Sequence, residues 1–144
     1  MIKILFIAIL FLFNACSTFN SPPPDINLVD LRIKEVRLLE TTLVATLKIH
    51  NDSNRSFSFD GSSHKIYING SELGRATSDE SITVNKFSSS EYSIPVRIGN
   101  ISVFRRIQNL IESRNFEYKI DSTLYTGGFG LGRINTSNTG TFSY

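Results

Sequence analysis

Cysteine is all but missing from this 144-residue chain. Cys16 stands alone, so no intramolecular disulfide can form, and zinc sites built on several cysteines are excluded. Tryptophan is absent altogether, which removes the broadest aromatic platform for a sugar ring. A surplus of one charge is also lacking. Lys and Arg exceed Asp and Glu by two, and Lys3 supplies part of that excess near the N-terminus. The basic residues Arg32, Lys34, Arg37, Lys48, Arg55, Lys65 and Arg97 are scattered, so no nucleic-acid partner is implied. Nor is any apolar run as long as the roughly 20 residues that cross a bilayer. What remains is enough chain for one domain, which at about this size buries roughly two-thirds of its unfolded surface. Its stability has to come from packing.

The longest apolar run, Ile4 to Phe13, follows the positive Lys3 and has the length of a signal core. It meets Asn14-Ala15-Cys16, with a small residue directly before the cysteine. The segment resembles the lipobox of bacterial lipoproteins, with Phe13 and Asn14 in place of the leucine and small residue that pattern prefers. That resemblance implies cleavage before Cys16, diacylation of its sulfur, and retention at a lipid surface, because two or more acyl chains make release slow. Ser17 after the cysteine implies, by the sorting rule of two-membrane cells, an outer-membrane address facing the periplasm. Residues 1–15 then form a signal peptide, 16–25 a lipidated terminus with the extended Pro22-Pro23-Pro24 tether, and 26–144 the folded domain.

Period-two patterns dominate that domain. Val29, Leu31 and Ile33 alternate, the phase slips at Lys34-Glu35, and Val36 and Leu38 follow, as a bulge or a break between two short strands would produce. Leu43, Ala45, Leu47 and Ile49 share one face of a half-buried strand that runs into the turn-forming Asn51-Asp52-Ser53-Asn54. Phe57 and Phe59 resume the alternation, Asp60-Gly61 turns the chain, and Ile66 and Ile68 lead to Asn69-Gly70, a type I′ hairpin signal. A brief return strand is expected around Leu73 to Ala76 and another at Ile82 and Val84. A longer strand follows through Tyr92, Ile94, Val96 and Ile98, with Pro95 marking an edge or a bulge. Ile101, Phe104, Ile107, Leu110 and Ile111 then recur at helical spacing, predicting an amphipathic helix over 102–113 capped by Asn100 or Ser102. Phe116, Tyr118, Ile120 and Leu124 alternate again, and Thr141 to Tyr144 reads as a closing strand. Short strands with one late helix predict a mostly β fold, a two-sheet antiparallel β-sandwich of the fibronectin-III or immunoglobulin kind.

No motif carries chemistry. Gly127-Gly128-Phe129-Gly130-Leu131-Gly132 is glycine-rich, but lacks the G-x-G-x-x-G spacing and a following helix to hold phosphate. His50 and His64 fall on polar phases or near turns and read as exposed imidazoles. Asp52 and Asp60 lie near them without a metal-ligand spacing. Ser62-Ser63-His64 is not a nucleophile elbow. Asp79, Glu80, Glu91 and Glu112 could be paired as glycosidase carboxylates only arbitrarily, and read as surface charges. No catalytic, cofactor or metal residue is therefore assigned, and no small-molecule substrate is expected. Lipidation at Cys16 is the one site residue.

The order of elements resembles the LEA type 2 family of late embryogenesis abundant proteins, which includes the water-stress and hypersensitive-response domain. The counterparts are the Leu43 to Ile49 strand ending at Asn51-Asp52-Ser53-Asn54, and Tyr67-Ile68-Asn69-Gly70 followed by Glu72-Leu73-Gly74. Tyr92-Ser93-Ile94-Pro95-Val96, the helix and a last hairpin complete the match. Asp52 stands where the family has proline, and Ser81-Ile82-Thr83-Val84 lacks the usual proline. The resemblance implies a β-sandwich without cofactor or catalytic residues, and a link to desiccation or envelope stress. The functions to weigh are a non-enzymatic protective or interaction domain, and a structural adaptor docked on an envelope protein partner.

Overall fold

The computed structural model describes residues 22–99, 101–127 and 132–143, and in the helix it leaves aside the side chains of 101–103, 106 and 107. The strands are β1 (Asp25–Val36), β2 (Thr41–Asn51), β3 (Phe57–Phe59), β4 (Gly61–Ile68), β5 (Ser71–Ser78), β6 (Ile82–Val84) and β7 (Ser88–Ile98). Helix α1 (Ile101–Ser113) follows, and then β8 (Asn115–Thr126) and β9 (Gly132–Ser143). Seven strands form one antiparallel sheet in the order β1-β2-β7-β5-β4-β8-β9, while β3 pairs with β6 beside it.

The fold is mostly β, as the alternation predicts, but the two separate sheets expected from the sequence are joined into one. Strands β1, β2 and β7 form one half, and β5, β4, β8 and β9 the other. A single pair, Arg75 with Arg97, connects them. Gly74 permits that junction: a Cβ there would stand 2.8 Å from the Arg97 carbonyl oxygen and 3.2 Å from Val96 Cγ1. The sheet curls until its two edges approach, and side chains bridge them. The Ile26 amide donates to Asn138 Oδ1 at 3.2 Å, Asn138 Nδ2 donates to Asp25 Oδ1 at 3.1 Å, and the Tyr118 hydroxyl donates to Asn27 Oδ1 at 3.4 Å.

Both halves contribute to one core. Leu43, Ala45, Leu47 and Ile49 of β2 are buried, as are Ile94, Val96 and Ile98 of β7, and Ile120 and Leu124 of β8. Helix α1 occupies its expected place and turns Phe104 and Ile111 inward. The Asn69-Gly70 turn has φ of 46° and 78°, the positive pair that a type I′ hairpin requires. Pro95 pairs with Val44, and its missing N–H is tolerated because β7 meets β5 only at Arg97.

Strand β1 departs from the sequence reading. It is one strand with two register slips, between Leu28 and Asp30 and between Ile33 and Glu35. The second lies at the expected Lys34-Glu35 position. The first moves Ile26 and Leu28 onto the core face ahead of Leu31 and leaves Val29 half-buried. Val36 and Leu38, expected to alternate with a core face, are exposed instead, in a tight connection closed by the Arg37 amide donating to the Glu40 carbonyl. Two further expectations were too short. The return strand spans Ser71–Ser78, and the closing strand begins at Gly132 rather than Thr141.

Candidate functional site

The strongest concentration of polar chemistry lies inside the core. His64 sits on the buried phase of β4 with Ile66 and Ile68, and is 1% exposed. Its expected solvent exposure is thereby overturned. The physical reason is one of phase: β4 begins at Gly61, so 62, 64, 66 and 68 point the same way and the polar Ser62 and His64 continue the isoleucine face. His64 Nδ1 lies 2.7 Å from Ser122 Oγ of β8, and Nε2 lies 2.6 Å from the Tyr92 hydroxyl of β7. Either neutral tautomer satisfies both nitrogens, donating from one and accepting at the other. Burial lowers the His64 pKa to about 4, and burial likewise raises the Tyr92 phenol to about 12. Ser62 Oγ is buried nearby without a partner at hydrogen-bond geometry, yet it is close enough to the phenol to oppose that rise. Between those limits the cluster is uncharged. With all three partners buried beneath the strands, it has the form of a polar pin across β7, β4 and β8.

A second histidine arrangement lies on the surface. His50 Nδ1 is 2.8 Å from Ser89 Oγ and Nε2 is 2.7 Å from Asp52 Oδ1, so serine, imidazole and carboxylate stand in line. The β2–β7 ladder continues through His50–Ser89 and Asn51–Ser88, which commits the neighbouring backbone to strand pairing rather than to an oxyanion site. With Asp52 two-thirds exposed, the relay stands on an open sheet face. Asp60 does not join it; that carboxylate accepts from the Ser81 hydroxyl at 3.3 Å. Among the described residues no three of His, Cys, Asp and Glu gather as a metal site.

The four carboxylates considered from sequence are not brought together. Asp79 and Glu80 follow β5, Glu91 lies opposite Lys48 across β2 and β7, and Glu112 accepts from Gln108 on α1 at 2.9 Å. Residues 128–131 of the glycine-rich stretch lie outside the described residues, as do Cys16, the leader and the helix cap at Asn100. Pro24, expected in an extended tether, is buried at the domain surface, beside a groove formed with Asn51, Phe57 and Ile134.

On the outer face of β4, β8 and β9 an open depression of about 470 Å3 is lined by Lys65, Arg75, Asp121, Thr123, Asn135 and Ser137, among others. The Ser137 hydroxyl, 2.7 Å away, holds the Asp121 carboxyl below its usual range, and Lys119 and Lys65 add to the effect. Nothing in this depression is both buried and unpartnered; Ser137 donates to Asp121, Thr123 donates to Asn135 at 2.9 Å, and Arg75 pairs with Glu72 outside it. It has the chemistry of a solvated surface.

Asn51 shapes the turn expected of it and also reaches beyond that turn, which the sequence reading did not foresee. Its Nδ2 donates to the carbonyls of Arg55 at 2.8 Å and Asn85 at 3.0 Å, while Oδ1 accepts from the Ser53 amide at 3.0 Å and hydroxyl at 2.7 Å. One buried side chain thus clasps the turn after β2 to the end of β6. The signal was the place of Asn51 on the Leu43 to Ile49 phase, which marks it as inward.

Solved structures from other organisms resemble this chain at low sequence identity. A solution structure from Arabidopsis thaliana is similar with a TM-score of 0.61 and 19% identity, over 92% of this chain and 89% of its own. A crystal structure from Archaeoglobus fulgidus is 15% identical, with a TM-score of 0.46, over 85% of this chain and 98% of its own. A late embryogenesis abundant protein solved in solution is 18% identical, with a TM-score of 0.46, over 99% of this chain and 85% of its own. Among curated proteins, none matches by sequence. The family model LEA_2, late embryogenesis abundant protein, matches residues 46–140, from within β2 to within β9. That segment is well over half of the sequence and holds the Asn51 clasp, the Asn69-Gly70 hairpin and the buried His64 pin, and the chain belongs to the LEA_2 family of late embryogenesis abundant proteins.

Proposed function

We propose that this chain is a non-enzymatic domain of the bacterial cell envelope, held to membrane lipid by an acylated Cys16, that serves in protection against drying and envelope stress. One observation carries the non-enzymatic part. The titratable pair most perturbed by its surroundings, His64 and Tyr92, is sealed in the core with the polar atoms that its bonds employ turned toward each other. A working acid or base needs a path to substrate, and this pair has partners instead. The remaining histidine relay stands on an open strand face. Membership of the LEA_2 family supports the stress role. The lipobox-like segment supports the anchor, with residues 1–15 removed and the outer membrane as address. Among the described residues no helix is long and apolar enough to cross a membrane, so attachment on this reading falls to the acyl group.

The test is in the host cell. Mass spectrometry of the mature protein is expected to find Cys16 as an acylated N-terminus, and Cys16→Ser is expected to move the domain out of the lipid-anchored fraction. Deleting the gene should lower survival after drying, detergent and osmotic shock, and the Cys16→Ser chain should restore it poorly. Unchanged survival in all three treatments would remove the protective role, and an unmodified cysteine would remove the anchor.

A further inference from the structure

We propose that the turn between β1 and β2 is a lipid-inserting tip, with Leu38 and Leu39 entering the acyl region of a bilayer. Both leucines are almost fully solvated, at 86% and 83% exposure, and Val36 beside them is more than half exposed. Such a cluster is costly in water, and here it is fixed in place by the Arg37 amide bond to the Glu40 carbonyl rather than folded onto the core.

Its size selects the occupant. Two nearly bare leucines and a half-covered valine present roughly 200–350 Å2 of apolar surface. A stable protein interface needs about 800 Å2 from each partner, so neither a second copy nor a folded partner is held by this tip alone. A bilayer demands no complementary surface, and a turn of this size is enough to enter it. Charge places no obstacle, because Glu35 and Arg37 pair at 2.8 Å and Lys34 and Glu40 balance one another. The aliphatic stems of Lys34 and Arg37 let their heads remain at headgroup level while the leucines enter.

Geometry adds a consequence. The tip follows the last residue of β1 and Pro24 precedes its first, so the two lie a strand length apart, about 40 Å for 12 residues. If Cys16 holds one end of the domain to lipid, insertion of the tip lays β1 along the same bilayer, giving attachment at two points. This orientation rests on the proposed anchor; insertion of the tip does not.

The test uses the protein purified from its host membranes and reconstituted into phosphatidylcholine or phosphatidylglycerol vesicles carrying brominated acyl chains. A fluorophore is placed at Arg37→Cys on the tip or at Thr77→Cys on the outer face of β5, and the parent chain reports any label taken by Cys16. Quenching is expected to be several-fold stronger at 37 than at 77 in both lipids, with little effect of salt. In the Arg37→Cys chain, Leu38→Ser with Leu39→Ser should reduce it to the level at 77, with an unchanged thermal melt. Equal quenching at both positions, or quenching indifferent to the leucines, would overturn the proposal. Protection of the tip label that grows with protein concentration without quenching would assign it to a second copy instead. Acylation of Cys16 is read separately by mass, so loss of the anchor and loss of insertion are distinguishable.

Discussion

Acid should weaken this fold through His64 before it weakens it through any carboxylate. In the unfolded chain the imidazole takes up a proton near pH 6.5, whereas in the folded core burial lowers that point to about 4. Above pH 6.5 both states hold a neutral ring and full stability is present. As pH falls from 6.5 to about 4 the unfolded state binds the proton and the folded state does not, so stability is lost throughout that window. The interval of about 2.5 units corresponds to roughly 3 kcal/mol, a large part of the 5–15 kcal/mol typical of a domain. Asp121, whose folded pKa is depressed below 3.8, contributes its loss at still lower pH. The assay is urea unfolding at steps from pH 7.5 to 4.0 in a His50→Gln background, so that His64 is the one histidine titrating. Adding His64→Gln should lower stability at pH 7, since the Tyr92 and Ser122 hydroxyls lose their shared partner. It should also flatten the slope by roughly 3 kcal/mol over the window. Parallel slopes in the two chains, or an imidazole resonance that titrates near 6.5 in the folded protein, would refute the reasoning.

At the alkaline end the sign reverses. The Tyr92 phenol, raised to about 12 by burial, stays protonated while its unfolded counterpart ionises near 10, so stability should fall between pH 10 and 12. Tyr92→Phe should remove that loss in alkaline melts. Gly74→Ala should cost about 1–3 kcal/mol in thermal unfolding, because its Cβ would press on the Arg97 carbonyl where the halves of the sheet join. Asn51→Ala should cost about 2–3 kcal/mol and expose the Ser53 amide to rapid hydrogen exchange, since several buried groups lose their partner together. Gly140→Ala should displace the Tyr118 ring, whose hydroxyl oxygen would lie 2.5 Å from the new Cβ, and so break its bond from β8 to Asn27 of β1 and loosen the adjoining seam with β9. Faster exchange at the Ile26 amide would register it.

How far the fold was legible follows from how each strand reveals its phase. Strand β2 carries apolar residues on one face and polar ones on the other, so its alternation is visible, and the helix is visible for the same reason at a different period. Strand β9 is polar on both phases, with only Phe142 fully buried, and composition therefore resembles a loop until pairing with β8 is seen. Its register comes from cross-strand partners such as Phe116 with Phe142, whose rings stack at 4.9 Å, and Tyr118 over Gly140. Joining of the sheet at Gly74 was equally hidden. A glycine that admits another backbone and a glycine in a loop are the same letter.

The buried pin was misread for a reason that bears on what the domain does. Serine and histidine at 62 and 64 look like surface residues one by one, and only extending the phase of Ile66 and Ile68 backward places them inside. Residues of that kind in a core need partners from other strands, and Tyr92 and Ser122 lie 28 and 58 residues away in sequence. Such a set favours a single register, because a slip of one residue would turn the imidazole out of the core, and a slip of two would keep it inside without its bonds to the two hydroxyls. With no disulfide to fix the pairing, this polar pin and the Asn51 clasp supply specificity that the apolar contacts alone do not. The imidazole of His64 is thereby committed to the fold, with both nitrogens engaged in holding β7, β4 and β8 together.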